Sequence, residues 1–320
     1  MISRRLLLSG LAVLAGVSAR GTRATAQSYP ARPIILIVPF AAGGFNDVIV
    51  RIVAQHMSKT LGASIIVEND AGAGGTTATA RGATAAADGY TLIAGSMGTH
   101  AAAPTQYPNL KYDPARDFTP IGLTAEAPAV LVTRRDFPAN TLAEFVAYVK
   151  ANQAKVNEAH AGVGSQMHTY CTLLHSILGT KTARIAYRGG APAINDLVAG
   201  QVDFGCVTIN TVVSQIQGGT VKALAIASPE RAEVIKDVPT TAEAGLAEFQ
   251  VSGWNAIFAP RQLPPAIQAK LSEALSKALE DEATAKRLLE IGCVIPQPGD
   301  RSPEALQRRV EREVARWASS

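Results

Sequence analysis

A glycine-rich turn is the first segment of the chain whose residues could bind a ligand. Residues 40–47 read Phe-Ala-Ala-Gly-Gly-Phe-Asn-Asp and lie between an apolar run and a helical pattern. Such a turn presents unpaired backbone N–H groups at the positive end of a helix, which stabilises an anion. We expect an anionic solute at Phe40, Ala42, Gly43, Gly44, Phe45, Asn46 and Asp47. Asp47 suits a helix N-terminus and is better explained as fixing the turn.

A second motif would support covalent chemistry instead. Ala94-Gly-Ser-Met-Gly98 follows a strand pattern and differs by one small residue from the G-x-S-x-G nucleophile elbow. Ser96 would then be the nucleophile of a secreted serine hydrolase, with His160, His168 or His175 as the base. Against this, Pro104 is expected to cut short the helix after the elbow. Alternatively, Ser96 and Thr99 donate to a carboxylate, and His100 is either beside the ligand or packed and hydrogen-bonded.

Two further segments carry groups that favour an anion. Residues 161–168 contain Gly164 and Ser165, and a serine here can cap a helix and also donate to an anion. His168 is either a ligand contact or a core histidine. Arg188 follows a strand pattern, where its guanidinium would bind a carboxylate through two hydrogen bonds or remain solvated.

The sequence indicates neither a cofactor nor a metal ion. Residues 69–77, Asn-Asp-Ala-Gly-Ala-Gly-Gly-Thr-Thr, lack the spacings of nucleotide-binding loops and predict a tight turn that leads into a helix. His168, Cys171 and His175 are unevenly spaced with no fourth partner, which does not fit a metal site. Cys171, Cys206 and Cys293 contain no C-x-x-C, and either one disulfide or three buried thiols is compatible with them.

The elements that would position these groups alternate between strand and helix. Strand patterns rich in Val and Ile cover residues 33–38, 64–67, 90–94, 129–133, 184–187, 202–207 and 221–227. Helical patterns cover 47–61, 142–149 and 267–279, and Ser302-Pro303 opens a last helix with Leu306, Val310, Val314 and Trp317 inward. The alternation predicts an α/β fold with a mainly parallel sheet, in which ligands bind beyond the carboxyl ends of the strands.

The first 26 residues predict that the chain is exported. Arg4 and Arg5 precede a short apolar stretch at 6–17, and Ala24-Thr25-Ala26 is a typical cleavage site. The formal charge of +4 depends on four arginines in this leader, so the mature chain is formally neutral. Nucleic-acid binding therefore gains no support, and local donors must hold any anion.

Nine short motifs stand in a specific order between residues 29 and 245. They are Tyr29-Pro-Ala-Arg-Pro-Ile34, Val38-Pro-Phe-Ala-Ala-Gly-Gly44, Val67-Glu-Asn69 with Gly72-Ala-Gly-Gly75, Asp88-Gly-Tyr-Thr-Leu92, Gly98-Thr-His100, Tyr187-Arg-Gly-Gly-Ala-Pro192, residues 197–203, Asp237-Val-Pro-Thr240 and Glu243-Ala-Gly245. Each is weak alone, but together the chain, from about residue 29 to 317, resembles the substrate-binding receptors of the tripartite tricarboxylate transporter system, the Bug family.

The resemblance implies a type II periplasmic-binding-protein fold, in which two α/β lobes enclose a ligand in a cleft. Lobe one would be residues 27–126 plus 227–320, and lobe two residues 127–226, with hinge crossings near Glu126 and Ala227. The implied site combines residues 40–47 with Ser96, Thr99, His100, Gly164, Ser165, His168, Arg188, Gly189, Gly190 and Val207. A receptor of this kind is a periplasmic monomer, cleaved here near Ala26, that delivers a small organic acid to the membrane permease subunits of the transporter.

Two departures from the family bear on the ligand. Phe45-Asn46 stands where the family carries a small or hydroxyl residue before Asp47, so Phe45 would stack on a ligand or wall it off. Val207 stands where the family commonly carries an Asp that would suit an amine. We therefore expect a plain dicarboxylate, C4-type or aromatic, and no catalysis. The serine hydrolase that uses Ser96 is the alternative.

Overall fold

The computed structural model describes residues 29–318, and the predicted leader and its cleavage site lie outside the described residues. The fold is α/β, as predicted, and is built on a nine-stranded sheet. The strands are β1 (Ile34–Val38), β2 (Ile65–Asn69), β3 (Thr91–Ser96), β4 (Phe118–Arg134), β5 (Asn157–His160), β6 (Ala183–Ala186), β7 (Phe204–Thr208), β8 (Val221–Ile226) and β9 (Ser252–Pro260).

Helices connect many of the strands and pack against the sheet. They are α1 (Phe45–Leu61), α2 (Thr76–Ala83), α3 (Ala103–Gln106), α4 (Leu142–Asn152), α5 (Gln166–Leu178), α6 (Gly190–Val198), α7 (Val213–Gln217), α8 (Pro265–Glu280), α9 (Glu282–Glu290) and α10 (Pro303–Ala318). None of these helices within residues 29–318 is both long enough and apolar enough to cross a bilayer.

The prediction of a mainly parallel sheet is wrong. Parallel pairing is confined to β1 with β2 and β3, and to β5 with β6 and β7. The long strand β4 runs antiparallel to β7, β8 and β9, and β3 runs antiparallel to β9. The parallel pairs have helices in their crossover connections. In the middle of the sheet, β9 runs opposite to β3, and β4 runs opposite to both β9 and β7.

Strand β4 connects two half-sheets. Residues 118–128 pair with β9 and belong to the first half-sheet, together with β1, β2 and β3. Residues 129–134 pair with β7 and β8 and belong to the second, together with β5 and β6. The chain leaves the second half-sheet after β8, where the Ala227 N–H donates to the Ala129 carbonyl at 2.8 Å. Both crossings between the half-sheets therefore lie side by side.

Apolar helix faces cover the first half-sheet. On α8, the side chains of Leu271, Leu275 and Leu279 are buried, as their spacing predicts. On α10, Leu306 and Val310 are buried, whereas Val314 and Trp317 are only half-buried near the chain terminus. Helix α4 begins directly after Thr141, whose side chain caps the helix by accepting a hydrogen bond from the Glu144 N–H at 3.2 Å.

Candidate functional site

A small cavity lies where the starts of three helices from the two half-sheets meet. We call it the inner cavity, and its volume is about 30 Å³. Helix α1 contributes Gly44, Phe45 and Asn46, helix α5 contributes Ser165, Gln166 and Met167, and helix α6 contributes Gly190. Phe40, Ala161, Thr208 and Thr211 complete the wall. None of these lining residues carries a charge, and the peptide dipoles of the three helix starts each contribute a positive potential to the cavity.

The main-chain donors at these helix starts remain available. No side chain caps α1, whose N-cap is Gly44, or α6, whose N-cap is Gly189. On α5 the Ser165 hydroxyl accepts a hydrogen bond from the His168 N–H at 3.3 Å. The first N–H groups of a helix have no intrahelical partner and must be satisfied by another group. The inner cavity is therefore suited to an anionic group that accepts several main-chain hydrogen bonds at once.

Asp47 fixes the conformation of the turn that precedes helix α1. Its carboxylate accepts hydrogen bonds from the Gly43 N–H, the Arg51 guanidinium and the Asn69 side-chain amide, each at 2.9 Å. Asn69 also donates to the Phe40 carbonyl at 3.0 Å. Burial raises the pKa of Asp47, but the hydrogen bonds from Arg51, Gly43 and Asn69 outweigh this effect and lower it below the usual value. The ionised carboxylate thus orders the turn that carries the α1 donors.

Replacing Asp47 by Asn should lower the free energy of unfolding at neutral pH by about 2 kcal/mol, because a charged acceptor of three hydrogen bonds is lost. Folding lowers the pKa of Asp47. The contribution of the ionised Asp47 carboxylate to the free energy of unfolding is therefore complete at pH values above its ordinary pKa of 3.8. This contribution disappears as the pH falls through the lower pKa of the folded protein. Urea unfolding of both proteins at neutral and acidic pH measures the difference, which should shrink in acid.

The matched control for this prediction is Asp70→Asn. The Asp70 side chain is 38% exposed and pairs with Arg81 at 3.2 Å on the surface. Exposed ion pairs contribute little to stability. The free energy of unfolding of this variant should therefore lie within about 0.5 kcal/mol of the wild-type value. A loss at Asp47 that is equally small, or that persists unchanged in acid, would contradict the assigned role.

The loop that contains Ser96, Thr99 and His100 lies behind the inner cavity and does not line it. All three side chains are fully buried. The Thr99 hydroxyl lies 2.9 Å from His100 Nδ1 and accepts a hydrogen bond from the Ser96 N–H at 3.1 Å. The His100 ring stacks on Phe258 with centroids 4.0 Å apart, and burial lowers the pKa of His100 to about 3. This arrangement matches the packed, hydrogen-bonded interpretation of His100, which stays neutral.

Within the part of the chain that the structure describes, no histidine is positioned to act as a base for Ser96. Its hydroxyl lies 3.5 Å from the Thr99 hydroxyl. The three histidines proposed as bases are engaged elsewhere: His160 Nδ1 accepts from the Gly162 N–H at 3.1 Å, His175 Nε2 lies 2.6 Å from Glu158, and His168 Nε2 lies 3.2 Å from Arg184. A nucleophile needs a base within hydrogen-bond reach, and this geometry does not provide one.

The prediction that Pro104 cuts short the following helix is also wrong. A wide π-helical turn spans Gly98–Ala102 and continues directly into α3, which ends at Gln106. Pro104 lies in the first turn of α3, where its missing N–H is tolerated. Gly98 packs closely against the start of α5, since a Cβ at this position would lie 2.7 Å from the Gly164 carbonyl oxygen. The loop therefore packs against the start of α5, which is one of the three helix starts that form the inner cavity.

A larger outer cavity adjoins the inner one and shares Phe40 and Ala161 with it. Its volume is about 570 Å³, and its other lining residues are Gly72, Ala73, Gly74, Gly75, Tyr107, Gly162, Val163, Ala186, Tyr187 and Arg188. Arg188 is exposed and is the only cation among these residues. As predicted, residues 69–77 form a tight turn that leads into helix α2.

Direct hydrogen bonds join the two half-sheets across the cleft. The Tyr107 hydroxyl donates to the Val163 carbonyl at 2.6 Å, and the Gly164 N–H donates to the Gln106 side chain at 2.9 Å. The Ala41 N–H donates to the Arg188 carbonyl at 3.2 Å. These contacts define a closed arrangement, in which both sides of the cleft approach the same small space.

The structure brings only part of the predicted site together. Six predicted residues line the inner cavity: Phe40, Gly44, Phe45, Asn46, Ser165 and Gly190. Ala42, Gly43 and Asp47 belong to the same turn without lining the inner cavity, and Gly164 and Gly189 immediately precede residues that do. His168 is half-buried beside His160 and Arg184; burial, together with these two neighbours, lowers the pKa of His168 to about 4.

Five lining residues were not singled out individually: Ala161, Gln166, Met167, Thr208 and Thr211. The first three lie in segment 161–168, which was predicted to favour an anion. Val207 is buried within β7, and it is the next residue, Thr208, that lines the cavity. The signal for Thr208 was its position at the carboxyl end of a strand pattern. Among residues 29–318, no group of three or more His, Cys, Asp or Glu side chains is placed to hold a metal ion.

Comparison with known proteins agrees with this architecture. Residues 49–319 match the model of the "Tripartite tricarboxylate transporter family receptor". MatC from Rhodopseudomonas palustris with bound malate has a TM-score of 0.88 and 44% identity, covering 90% of this chain and 98% of its own. The periplasmic binding protein BugD has a TM-score of 0.87 and 39% identity over 91% of this chain and 97% of its own.

A third structure extends the range of ligands seen in similar proteins. R. palustris Rpa4515 with adipate has a TM-score of 0.86 and 30% identity, covering 91% of this chain and 96% of its own. The matched family consists of solute-binding receptors and not of enzymes, so the hydrolase alternative is set aside. The chain belongs to the tripartite tricarboxylate transporter receptors, a family of periplasmic solute-binding proteins that includes the Bug proteins.

Proposed function

We propose that this protein captures a small dicarboxylate in the cleft and delivers it to the membrane permease subunits of a tripartite tricarboxylate transporter. One observation carries the proposal: three helix starts, two of them uncapped by any side chain, converge on one cavity without a charged lining residue. A carboxylate accepts several hydrogen bonds and is favoured by the dipole at each helix start. The similar structures with malate and adipate support a dicarboxylate.

The two parts of the cleft suit the two ends of such a ligand. The inner cavity holds about two water-sized groups, which fits one carboxylate or the waters that bridge it to the main chain. The outer cavity provides room for the rest of the ligand, and Arg188 lies there as a partner for the second carboxylate. Because no Asp or Glu lines either cavity, an ammonium group would find no carboxylate partner.

Ligand binding would stabilise the closed arrangement. The α1 donors belong to the first half-sheet, and the α5 and α6 donors belong to the second. Only a closed cleft presents both sets to one carboxylate, so the ligand shifts the population towards that state. We propose that residues 27–126 plus 227–320 and residues 127–226 act as the two lobes, and that they move about the adjacent crossings near Glu126 and Ala227.

Thermal unfolding tests this function with malate and adipate as probes. A ligand at about one hundred times its Kd stabilises a protein by about 2.7 kcal/mol, which corresponds to a rise in Tm of roughly 5–10 °C for a chain of this size. The diamides of the same acids provide the control, because they keep the shape and lose the charge. Equal shifts with diacid and diamide, or none with any dicarboxylate of two to eight carbons, would overturn the proposal.

A further inference from the structure

Two cysteines meet in the interior of the second half-sheet. Cys171 lies on α5 and Cys206 lies on β7, and both side chains are fully buried. Their sulfur atoms are 2.6 Å apart, and the Cys206 N–H lies 3.2 Å from the Cys171 sulfur. Unbonded heavy atoms pack at about 3.5–4 Å, whereas bonded sulfurs lie about 2.05 Å apart. The two sulfur atoms are thus nearer than separate groups pack.

We propose that Cys171 and Cys206 form a disulfide bond in the exported protein. The inference rests on the periplasmic location in the proposed function, because disulfides form and persist in that compartment. The two thiols lose two protons and two electrons to the disulfide of a thiol oxidoreductase, which is itself reduced to a dithiol. One cysteine first forms a mixed disulfide with the oxidoreductase, and the other displaces it as the new S–S bond forms.

Burial dictates when this bond forms. The thiolate is the reactive species, and burial raises the pKa of both Cys171 and Cys206. The folded core therefore contains no exposed thiolate for exchange, and oxidation takes place before α5 docks on β7. Cys293 follows α9 in a different part of the fold, where burial raises its pKa to about 12. With the other two cysteines paired, Cys293 remains a thiol.

The bond would link two walls of the inner cavity. The first residues of α5, Gln166 and Met167, line the cavity, and so does Thr208 at the end of β7. A covalent link between these elements keeps the α5 donors in register with Thr208 and constrains the unfolded chain between residues 171 and 206. Its loss should therefore lower the stability of this part of the protein while leaving the first half-sheet unchanged.

Counting thiols tests the inference without a ligand. The full chain is exported, purified from the periplasmic fraction, denatured without reductant in an alkylating reagent and weighed by intact mass spectrometry. We expect one alkylated thiol, and three after prior reduction. The same measurement on Cys293→Ala should give none before reduction and two after it. Three alkylated thiols in the unreduced, exported protein would overturn the proposal.

Two further measurements separate this inference from the proposed function. Because the bond is buried, the exported protein is unfolded with reductant and refolded in its presence. Its Tm should then be lower than that of the oxidised protein by on the order of 10 °C, given the usual effect of a native disulfide on a chain of this size. An unchanged Tm would contradict the stabilising role. Cell fractionation reports the location, and the malate and adipate shifts report the ligand site. Three free thiols in an exported protein that still binds dicarboxylates would reject only the disulfide.

Discussion

Gly74→Ala should weaken binding of malate or adipate by at least about 100-fold. Gly74 has a φ of +61°, and a Cβ at this position would lie 1.7 Å from the Val163 carbonyl oxygen and 2.8 Å from the Tyr107 hydroxyl. Val163 belongs to the opposite side of the cleft, so the more severe clash, with its carbonyl oxygen, arises only when the cleft closes. The apparent affinity of a receptor falls in proportion to the fraction of molecules that can adopt the closed, binding-competent state. A variant that rarely closes therefore binds weakly.

Gly72→Ala provides the matched control, because it lies in the same turn and a Cβ there meets no atom within 4 Å. Isothermal titration of both variants with malate and with adipate measures the affinities, and thermal unfolding without ligand checks that both fold. We expect Gly72→Ala to bind within a few-fold of the wild type. Wild-type affinity in Gly74→Ala would show that closure at this contact is not needed for binding.

Thr208→Asp should raise the Kd for dicarboxylates by about 100- to 1000-fold. Thr208 is 2% exposed and lines the inner cavity opposite the start of α1. An aspartate there would place a negative charge next to the ligand carboxylate and would accept hydrogen bonds from the same main-chain donors. Two like charges about 4 Å apart repel by about 4 kcal/mol at the effective dielectric constant of partly buried sites, which is comparable to the predicted loss of about 2.7 to 4.1 kcal/mol.

Thr208→Asn separates charge from shape, because asparagine has the size of aspartate and no charge. We expect its Kd to stay within about tenfold of the wild type. Titration at neutral pH should therefore rank the affinities as wild type, then Asn, then Asp, with the largest step between the last two. If the Asn and Asp variants bind equally, the cavity does not select for negative charge, and the electrostatic part of the proposed function fails.

The elements that the sequence predicts well are those in which one pattern of apolar residues continues from end to end. Helix α1 and strand β1 follow their apolar spacing, and the observed strand bounds differ from the predicted ones by only a few residues in most cases. Strand β5 was missed because it reads Asn-Glu-Ala-His. Its Glu158 is fully buried and is compensated by His175 and Arg184 from other elements, a tertiary effect that local patterns cannot show.

The antiparallel part of the sheet could not be predicted, because it also depends on contacts between residues that are far apart in the chain. The first part of β4 contains Pro120, Gly122 and Pro128, residues that usually mark turns. The structure accommodates two of them at irregularities in the pairing with β9, where the register shifts between Pro120 and Gly122. Strand β9 itself gave no strand prediction. Its partners lie more than one hundred residues away in the chain, so its place in the sheet depends on the assembled fold.

The candidate site shows the same division between local and long-range information. Glycine turns before helices identified the starts of α1 and α5 from sequence, and the family resemblance identified the start of α6. Gln166 and Met167 lie in the segment 161–168 that was predicted to favour an anion, but they were not singled out, because nothing local distinguishes their main-chain donors from those of any other helix. Ser96, Thr99 and His100 carry chemically suggestive side chains, yet they serve as fully buried supports.

A crystal structure of the protein with bound malate tests the central claim most directly. The account predicts that one carboxylate occupies the inner cavity and accepts hydrogen bonds, directly or through a single water, from main-chain N–H groups of α1 on one side and of α5 or α6 on the other. The second carboxylate should extend towards Arg188. A malate held only by side chains, or bound outside the space between these helix starts, would contradict the account.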